Sequence, residues 1–202
     1  MSTRPAKAKP AALERRQLVK DLLIDRRDLM VVCGLGSSTY DVAAAGDHPL
    51  NLYLWGAMGG AAMIGLGLAL AKPERRVAVI TGDGEALMGL GALATIGVKQ
   101  PQNLVIVVLD NGHYGETGMQ ASHTTGGTDL VAIAKGCGFK DGLTLTEQGG
   151  VAGVRELMHT GKGPILVDAR ISNGETPRFL PTRDGHAIKL RFMQAVNEGV
   201  TA

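Results

Sequence analysis

Two side chains with hard oxygen atoms follow two apolar runs in the middle of the chain. Asp83 lies between two glycines directly after the largely apolar run 76–81, and Asn111 stands at the end of a second run, 104–109. In a doubly wound sheet, ligands bind at the carboxyl ends of neighbouring parallel strands. Mg²⁺ takes about six oxygen ligands, and carboxylate and amide oxygens suit it. The pattern therefore predicts a site for a divalent cation that carries a diphosphate.

The residues beside Asp83 are suited to the phosphate part of such a ligand. Gly82 and Gly84 allow the backbone to turn sharply next to the ion, because glycine tolerates conformations that other residues avoid. The amides of Gly84 and Glu85 would begin a helix, and a helix N-terminus attracts phosphate. A loop carbonyl just beyond Asn111 would supply a third metal ligand.

The apolar pattern predicts strands that alternate with helices. Strands are expected at 29–33, 76–81, 104–109 and 164–169, and helices at 12–27, 59–71, 85–98, 129–135, 147–160 and 184–197. Continuous apolar strands between helices are typical of an α/β fold with a doubly wound, mainly parallel sheet covered by helices on both faces. We expect one domain over residues 11–202, preceded by a disordered basic arm over residues 1–10.

Composition narrows the function classes. The 202 residues carry a net charge of +2, which is too small by itself to indicate nucleic-acid binding. The two cysteines have no metal-type spacing, which favours a reducing, cytoplasmic setting without disulfides. The uncharged stretch 49–71 is long enough to span a membrane, but it contains five glycines. We interpret it as a loop to about Trp55 and then a buried helix with a small-residue face, so neither membrane nor nucleic acid is expected as a partner.

One motif in the chain resembles a known cofactor signature. The sequence GDG at 82–84, followed after 26 residues by Asn111, is similar to the cofactor motif of thiamine diphosphate enzymes. The stretch 52–71, LYLWGAMGGAAMIGLGLALA, resembles the segment that precedes this motif in pyruvate decarboxylase-like enzymes. The resemblance covers about residues 30–170. This chain has the pair Asp110-Asn111 where many members have Asn-Asn. The difference falls at the first position of the pair, which is not a metal ligand in the family.

The resemblance implies a thiamine diphosphate site with a magnesium ion. The metal ligands would be the side chains of Asp83 and Asn111 and the backbone carbonyl of His113. Backbone groups after Asp83 would hold the diphosphate, with the loop 34–37 on its other side. The residues expected around the cofactor are Gly34, Gly36, Ser37, Gly56, Met58, Gly82, Asp83, Gly84, Glu85, Asn111, His113, Tyr114 and Gly115.

Two of these residues would shape the cofactor itself. The resemblance implies that the carbonyl of Gly56 accepts a hydrogen bond from the cofactor's 4′-amino group. It also implies that Met58 is a bulky wedge under the thiazolium ring, which forces a bend that brings the amino group against the reactive carbon. Gly56 and Met58 are therefore the residues expected to act in catalysis. Core packing is the alternative role for Met58, since methionine commonly fills cores.

The family also needs a group that this chain does not offer. It activates the pyrimidine ring of the cofactor with a Glu on a separate domain, and 202 residues have room for one domain only. The resemblance thus implies a partner subunit that carries the pyrimidine-side domain and supplies this Glu. Because sites of this type usually come in symmetric pairs, the expected assembly is α2β2 or larger.

The segment that follows the second apolar run indicates a subgroup. The sequence 110–124, DNGHYGETGMQASHT, resembles the corresponding segment of sulfopyruvate and phosphonopyruvate decarboxylases, with matches at Tyr114, Thr117 and Gln120. His113 falls at a variable position, so it is not interpreted as a catalytic base. The resemblance implies non-oxidative decarboxylation of a small 2-oxo acid to an aldehyde, such as sulfoacetaldehyde or phosphonoacetaldehyde. In sulfopyruvate decarboxylase the two domains are separate subunits, as expected here.

Other interpretations stay open. The same cofactor motif occurs in subunits of 2-oxo acid:ferredoxin oxidoreductases, although this chain has no set of cysteines for an iron–sulfur cluster. A cofactor-binding subunit without catalytic activity is a third interpretation. The GLG at 34–36 lacks the third glycine of a dinucleotide-binding fingerprint. Arg178, Arg183 and Lys189 are candidates for binding an anionic substrate tail, but a solvated basic surface is the usual role of such residues.

Overall fold

The computed structural model describes residues 13–174 and 176–198, and the expected basic arm, residues 1–10, lies outside them. The strands are β1 Met30–Cys33, β2 Asn51–Tyr53, β3 Val77–Gly82, β4 Leu104–Asp110, β5 His113–Tyr114, β6 Gln120–Ala121, β7 Asp141–Leu145 and β8 Ile165–Arg170. The helices are α1 Arg15–Leu22, α2 Ser37–Ala44, α3 Ala61–Ala71, α4 Asp83–Met88, α5 Gly91–Lys99, α6 Leu130–Gly136, α7 Val151–Thr160 and α8 Gly185–Glu198, with a 3₁₀ turn at Gln148–Gly150. Six strands form one parallel sheet in the order β2-β1-β3-β4-β8-β7, and β5 and β6 form a separate antiparallel hairpin.

Helices cover both faces of this sheet. Along β3, Ala78 and Ile80 face one apolar core while Val77 and Val79 face the other, as the two-residue period of a strand requires. The first core contains residues of α1, α2 and α7, and the second contains residues of α3, α5 and α6. The predicted doubly wound, parallel α/β fold is therefore confirmed.

The sequence pattern missed four strands: β5 and β6 of the hairpin, and β2 and β7, which are the edges of the sheet. β2 and β7 each have a neighbour on one side only, and each includes partly exposed positions. Their apolar signal is weak for that reason, whereas β4 is buried along its whole length. The prediction of four strands was too low, and the loop expected to run to about Trp55 contains β2. The prediction also missed α2, which begins in the glycine- and serine-rich segment 34–38.

The prediction of a single helix over 85–98 was wrong. The helix begins earlier, at Asp83, and it is divided into α4 and α5 around Gly89. The backbone of Gly89 lies directly against the backbone of Gly59, so that a Cβ added at Gly89 would overlap the carbonyl group of Gly59. Gly59 has a positive φ of 95°. This close approach of two glycines fixes the loop before α3 against the end of α4.

The small-residue helix expected at 59–71 forms as α3 and packs tightly on the sheet. A Cβ added at Gly65 would overlap the Cγ2 methyl of Val79 in β3. α3 has 11 residues, and none of the helices in the described part of the chain is long and apolar enough to cross a membrane.

The strands β3 and β4 bring the two predicted oxygen ligands to the same edge of the sheet. They pair in parallel, with Gly82 opposite Leu109. Asp83, the first residue after β3, therefore lies level with Asp110 at the end of β4, next to Asn111. The site is thus positioned by the two central strands, which are buried along almost their whole length.

Candidate functional site

Asp83 is buried at the junction of β3 and α4, where 2% of the residue is exposed. Its Oδ2 accepts a hydrogen bond from the hydroxyl of Ser122 at 2.5 Å, and the hydroxyl of Thr124 lies 3.5 Å from the same oxygen. Thr124 donates to Oδ1 of Asp110 at 2.8 Å and lies 2.9 Å from the Ser122 oxygen. Two carboxylates from the ends of β3 and β4 are thereby joined by two hydroxyls, which we name the hydroxyl bridge (Ser122 and Thr124).

The surroundings of Asp83 favour a bound cation. Burial raises the pKa of the Asp83 carboxyl, the hydrogen bond from Ser122 opposes this rise, and the nearby Asp110 adds to it. Among the residues that the structure describes, no Lys, Arg or His forms an ion pair with Asp83. A buried carboxylate without a positive partner is costly. A divalent cation would therefore stabilise its ionised form.

Further negative charge lies behind Asp83. Asp110 and Asp168, on the neighbouring strands β4 and β8, are both buried, and nitrogens of Arg170 lie 2.7 Å from a carboxylate oxygen of each. Burial raises the pKa of Asp168 to about 7, the Asp110 carboxylate adds to the rise, and Arg170 opposes it. Asp110 and Asp168 thus share one guanidinium group, and Asp83 forms no ion pair among the described residues, so this edge of the sheet is negative when all three carboxyl groups are ionised.

Asn111 opens the loop that leads into β5. Its side-chain oxygen accepts a hydrogen bond from the backbone N–H of His113 at 3.0 Å, which holds the turn between them, and an amide oxygen has a second lone pair for a ligand. Within residues 13–174 and 176–198, no group of three or more His, Cys, Asp and Glu side chains is arranged to hold a metal. The expected ligand set is of another kind, since it combines one carboxylate with an amide and a backbone carbonyl oxygen.

An open cleft lies at this edge of the sheet. Most of the residues predicted to surround a cofactor line it: Ser37, Met58, Gly82, Asp83, Gly84, Glu85, Asn111, His113, Tyr114 and Gly115. Gly34, Gly36 and Gly56 are not among the lining residues. Gly36 has a positive φ of 70° and precedes α2, where its backbone turns the chain behind the cleft wall.

Glycine at position 84 is required by the shape of the cleft. A Cβ added at Gly84 would lie 2.6 Å from two ring carbons of Tyr114. The ring of Tyr114 in β5 therefore lies directly against the backbone at the start of α4. Glycine at this position makes room for the tyrosine ring beside Asp83, and the backbone amides at the start of α4 are groups that suit a phosphate.

The side chain of Glu85 has a structural role that the sequence analysis did not predict. It is 4% exposed, and it accepts hydrogen bonds from the N–H of Leu35 (2.8 Å) and the hydroxyl of Thr81 (2.9 Å). Its other oxygen accepts a hydrogen bond from the N–H of Gly59 at 3.3 Å. A Cβ added at Gly34 would overlap this carboxylate, so Gly34 makes room for Glu85. The carboxylate thus joins three segments around the cleft.

The two residues expected to shape the cofactor lie on the loop between β2 and α3. Met58 is half-buried and lines the cleft, whereas Gly56 is exposed and a Cβ added there would meet no atom within 4 Å. Ala57 between them has a positive φ of 57°, which few non-glycine residues adopt. The loop is thus held in a specific conformation beside the cleft.

The candidate anion-binding residues near the C-terminus lie outside the cleft. Arg178 is 3.8 Å from a carboxylate oxygen of Glu116, and the guanidinium of Arg183 stacks over the ring of Trp55 at 5.2 Å. Both arginines and Lys189 are exposed and are not among the lining residues. Arg15, which does line the cleft, pairs with the buried Asp41 and was not predicted.

The fold and this site define a class of protein. Residues 34–169 match the family model of the thiamine pyrophosphate enzyme, C-terminal TPP binding domain. The chain belongs to this family, and the predicted thiamine diphosphate-binding class is confirmed.

Within the family, the chain is similar over nearly its whole length to a decarboxylase subunit. It is 37% identical over 189 residues to sulfopyruvate decarboxylase subunit beta of Methanococcus maripaludis, which covers 92% of this chain and 99% of that one. It is 40% identical over 164 residues to phosphonopyruvate decarboxylase of Streptomyces viridochromogenes, which covers 81% of this chain and 40% of that one. The predicted resemblance to this decarboxylase group is confirmed, and the chain is an enzyme subunit of that group.

Two further comparisons are less extensive. A 2-oxoacid:ferredoxin oxidoreductase 2 subunit beta of Aeropyrum pernix is 36% identical over 110 residues, 52% of this chain and 33% of that one. A solved structure of a putative thiamin diphosphate-dependent enzyme from Mycobacterium smegmatis superposes with a TM-score of 0.67 at 22% identity. That superposition covers 82% of this chain and about a third of the other (32%), and it supports the fold.

Proposed function

We propose that this chain, with residues 11–202 as one domain, is the thiamine diphosphate- and magnesium-binding subunit of a hetero-oligomeric 2-oxo acid decarboxylase. The observation that carries the proposal is the convergence of Asp83 and Asn111 at one edge of the sheet, beside a cleft that both residues line. The reaction would convert a small 2-oxo acid into an aldehyde and CO₂ without oxidation. The relatives are named for sulfopyruvate and phosphonopyruvate, and these are the substrates to test first.

In this proposal, the side chains of Asp83 and Asn111 and the backbone carbonyl of His113 bind Mg²⁺. The unpaired, buried charge of Asp83 supports this assignment. Mg²⁺ keeps near-octahedral geometry and commonly takes phosphate oxygens and water in its remaining positions. The ion would therefore join the diphosphate group to the ends of β3 and β4.

Backbone groups at the start of α4 would hold the diphosphate from one side, and the loop 34–37 would hold it from the other. The small residues of this region support the assignment, because they let a ligand approach the backbone. The residues that we assign to cofactor binding are Gly34, Gly36, Ser37, Gly82, Gly84, Glu85, Tyr114 and Gly115, together with the metal ligands.

The cofactor, when bound, supplies the electron sink for decarboxylation, and the protein orients it. We assign to the carbonyl of Gly56 the hydrogen bond to the cofactor's amino group, and to Met58 the support of its bent form. The position of Met58 in the cleft wall favours this role over core packing. Both residues would hold the cofactor in the conformation in which it reacts.

The remaining part of the site would come from a partner subunit with a pyrimidine-side domain and an activating Glu, in an α2β2 or larger assembly. Two comparisons support this. One relative is itself named a beta subunit. The phosphonopyruvate decarboxylase is matched over 40% of its length, so its chain has room for a further domain. The free cysteines Cys33 and Cys137 support a reducing, cytoplasmic location.

The experiment is reconstitution with the subunit encoded beside this chain. With thiamine diphosphate, Mg²⁺ and sulfopyruvate or phosphonopyruvate, we expect aldehyde formation from the two-subunit complex and none from either subunit alone. Turnover by the single chain would overturn the divided site. Asp83→Ala should abolish cofactor binding and turnover together, whereas Asp28→Ala, at an exposed aspartate before β1, should change neither. Turnover that survives loss of cofactor binding would make this subunit non-catalytic.

A visible absorption spectrum of the purified complex distinguishes the oxidoreductase alternative from the proposed decarboxylase. A broad iron–sulfur band, with ferredoxin reduction in place of aldehyde release, would favour that reaction. The two cysteines of this chain are far apart in the sequence, at positions 33 and 137, so any cluster would have to be held by the partner.

A further inference from the structure

We infer that the hydroxyl bridge, Ser122 and Thr124, makes Asp83 a one-oxygen ligand and thereby favours Mg²⁺ over Ca²⁺ at this site. The inference rests on the proposed function, because it takes Asp83 as a metal ligand. Ser122 and Thr124 act as positioning residues, since they contact the Asp83 carboxylate and are not among the residues that line the cleft.

The geometry distinguishes the two oxygens of Asp83. Ser122 and Thr124 are 3% and 6% exposed, and both hydroxyls lie on Oδ2, at 2.5 Å and 3.5 Å. In the part of the chain that the structure describes, Oδ1 has no hydrogen bond from another side chain. Oδ1 is therefore the oxygen of Asp83 without a side-chain hydrogen bond among the described residues, and we assign it to the cation.

The hydroxyl bridge is also hydrogen-bonded to the loop that carries Asn111. The N–H of Ser122 donates to the carbonyl oxygen of Gly112 at 2.7 Å, and Thr124 donates to Oδ1 of Asp110 at 2.8 Å. Gly112 in turn donates its own N–H to the same oxygen of Asp110. These residues flank Asn111, so the bridge fixes Asp83 relative to the amide that would share the ion. The side chain of Asp83 cannot turn its second oxygen to the cleft without breaking this set of bonds.

A one-oxygen carboxylate suits one ion better than the other. Mg²⁺ demands near-ideal octahedral geometry with short bonds, whereas Ca²⁺ takes six to eight oxygens and often binds both oxygens of a carboxylate. With Oδ2 occupied by Ser122, Ca²⁺ loses a possible ligand and Mg²⁺ loses none. Groups that orient a metal ligand commonly change affinity by about 10- to 100-fold when they are removed.

The test is equilibrium dialysis of thiamine diphosphate against the two-subunit complex, with Mg²⁺ or Ca²⁺ titrated separately. For Ser122→Ala we expect the half-saturating Mg²⁺ concentration to rise about tenfold, while that of Ca²⁺ rises less than about twofold. Thr124→Val weakens the bridge but leaves Ser122 in place. It should shift the metal ratio, which is the half-saturating Mg²⁺ concentration divided by that of Ca²⁺, in the same direction by a smaller factor. Ser122→Thr keeps the hydroxyl and should keep the wild-type ratio.

Thr125→Val is the matched control, because the hydroxyl of Thr125 lies in the same turn and bonds only to the backbone of Ser122. It should leave the metal ratio unchanged. If Ser122→Ala and Thr124→Val raise the half-saturating concentrations of Mg²⁺ and Ca²⁺ by the same factor, the hydroxyls serve folding alone and the inference is overturned. If Ser122→Ala does not fold, Thr124→Val decides by the same criterion. A wild-type complex that binds the cofactor without any divalent ion would overturn the proposed magnesium site, and the inference with it.

Discussion

The carboxylate of Glu85 lies 2.8 Å from the backbone nitrogen of Leu35, which is 50 residues earlier in the chain. The same side chain accepts hydrogen bonds from Thr81 in β3 and from Gly59 before α3. The loops that carry Ser37 and Met58 are thereby tied to the start of α4 through one buried group. The shape of the cleft therefore depends on the hydrogen bonds of one buried carboxylate.

Removal of this group should destabilise the protein strongly. Glu85→Ala leaves buried backbone donors without acceptors, and we expect the free energy of unfolding to fall by roughly 2–4 kcal/mol. Glu85→Gln retains an acceptor oxygen and should lose less. Urea denaturation followed by far-UV circular dichroism measures the difference. Glu74→Ala, at an exposed glutamate, is the control, and equal stability of Glu85→Ala and Glu74→Ala would contradict the prediction.

Two glycines of α3 should respond in opposite directions to alanine. Gly65→Ala places a methyl group against Val79 and should destabilise the protein by about 1–3 kcal/mol. Gly67 is exposed and has open space around it, so Gly67→Ala should stabilise the helix by up to about 1 kcal/mol. Both changes can be measured by thermal unfolding. The tight packing of α3 on β3 would be refuted if both variants gained stability.

Asp83→Asn should separate stability from cofactor binding. Burial raises the pKa of the Asp83 carboxyl, so its ionised form is disfavoured in the folded chain, and a neutral amide relieves this cost. Without metal at pH 8, the melting temperature of the variant should therefore be higher than that of the wild type. Its affinity for thiamine diphosphate with Mg²⁺, measured by calorimetry on the complex, should fall at least about 100-fold. A variant that binds the cofactor normally would exclude Asp83 as a ligand.

Asp168 should make stability depend on pH. Its pKa is raised to about 7 in the folded chain, from an ordinary value of about 4. The folded state therefore binds more protons than the unfolded state between these values, and the free energy of unfolding should fall as pH rises through this window and level off above it. Asp168→Asn should show a smaller slope between pH 5 and pH 8, roughly by the contribution of one titrating group. Parallel slopes for wild type and variant would contradict the assignment, and Asp28→Asn is the control.

The sequence alone predicted the parts of the fold that depend on local pattern. The buried central strands gave continuous apolar runs, and the strand ends placed Asp83 and Asn111 together. The edge strands β2 and β7 were missed because one-sided pairing does not demand a continuous apolar run. The break at Gly89 was missed because its cause, the backbone of Gly59, lies 30 residues away in the sequence.

The supporting residues of the site were harder to predict than its central pair. Ser122 and Thr124 follow the hairpin of β5 and β6, and nothing in their own segment indicates that they reach Asp83. The serine-x-threonine pattern lies within the segment that resembles the decarboxylase group, which is the one signal that marks it. The role of the Glu85 side chain was missed because its partners, Leu35, Gly59 and Thr81, are spread over three segments.

The contact between Gly59 and Gly89 has a consequence for how this chain can evolve. The two positions meet through main-chain atoms, so an enlarged residue at one cannot be compensated by a smaller residue at the other, which is already the smallest. The positive φ at Gly59 removes the remaining freedom there. The two glycines should therefore be inherited as a pair, and a lineage that loses one of them would have to rebuild the loop that carries Met58.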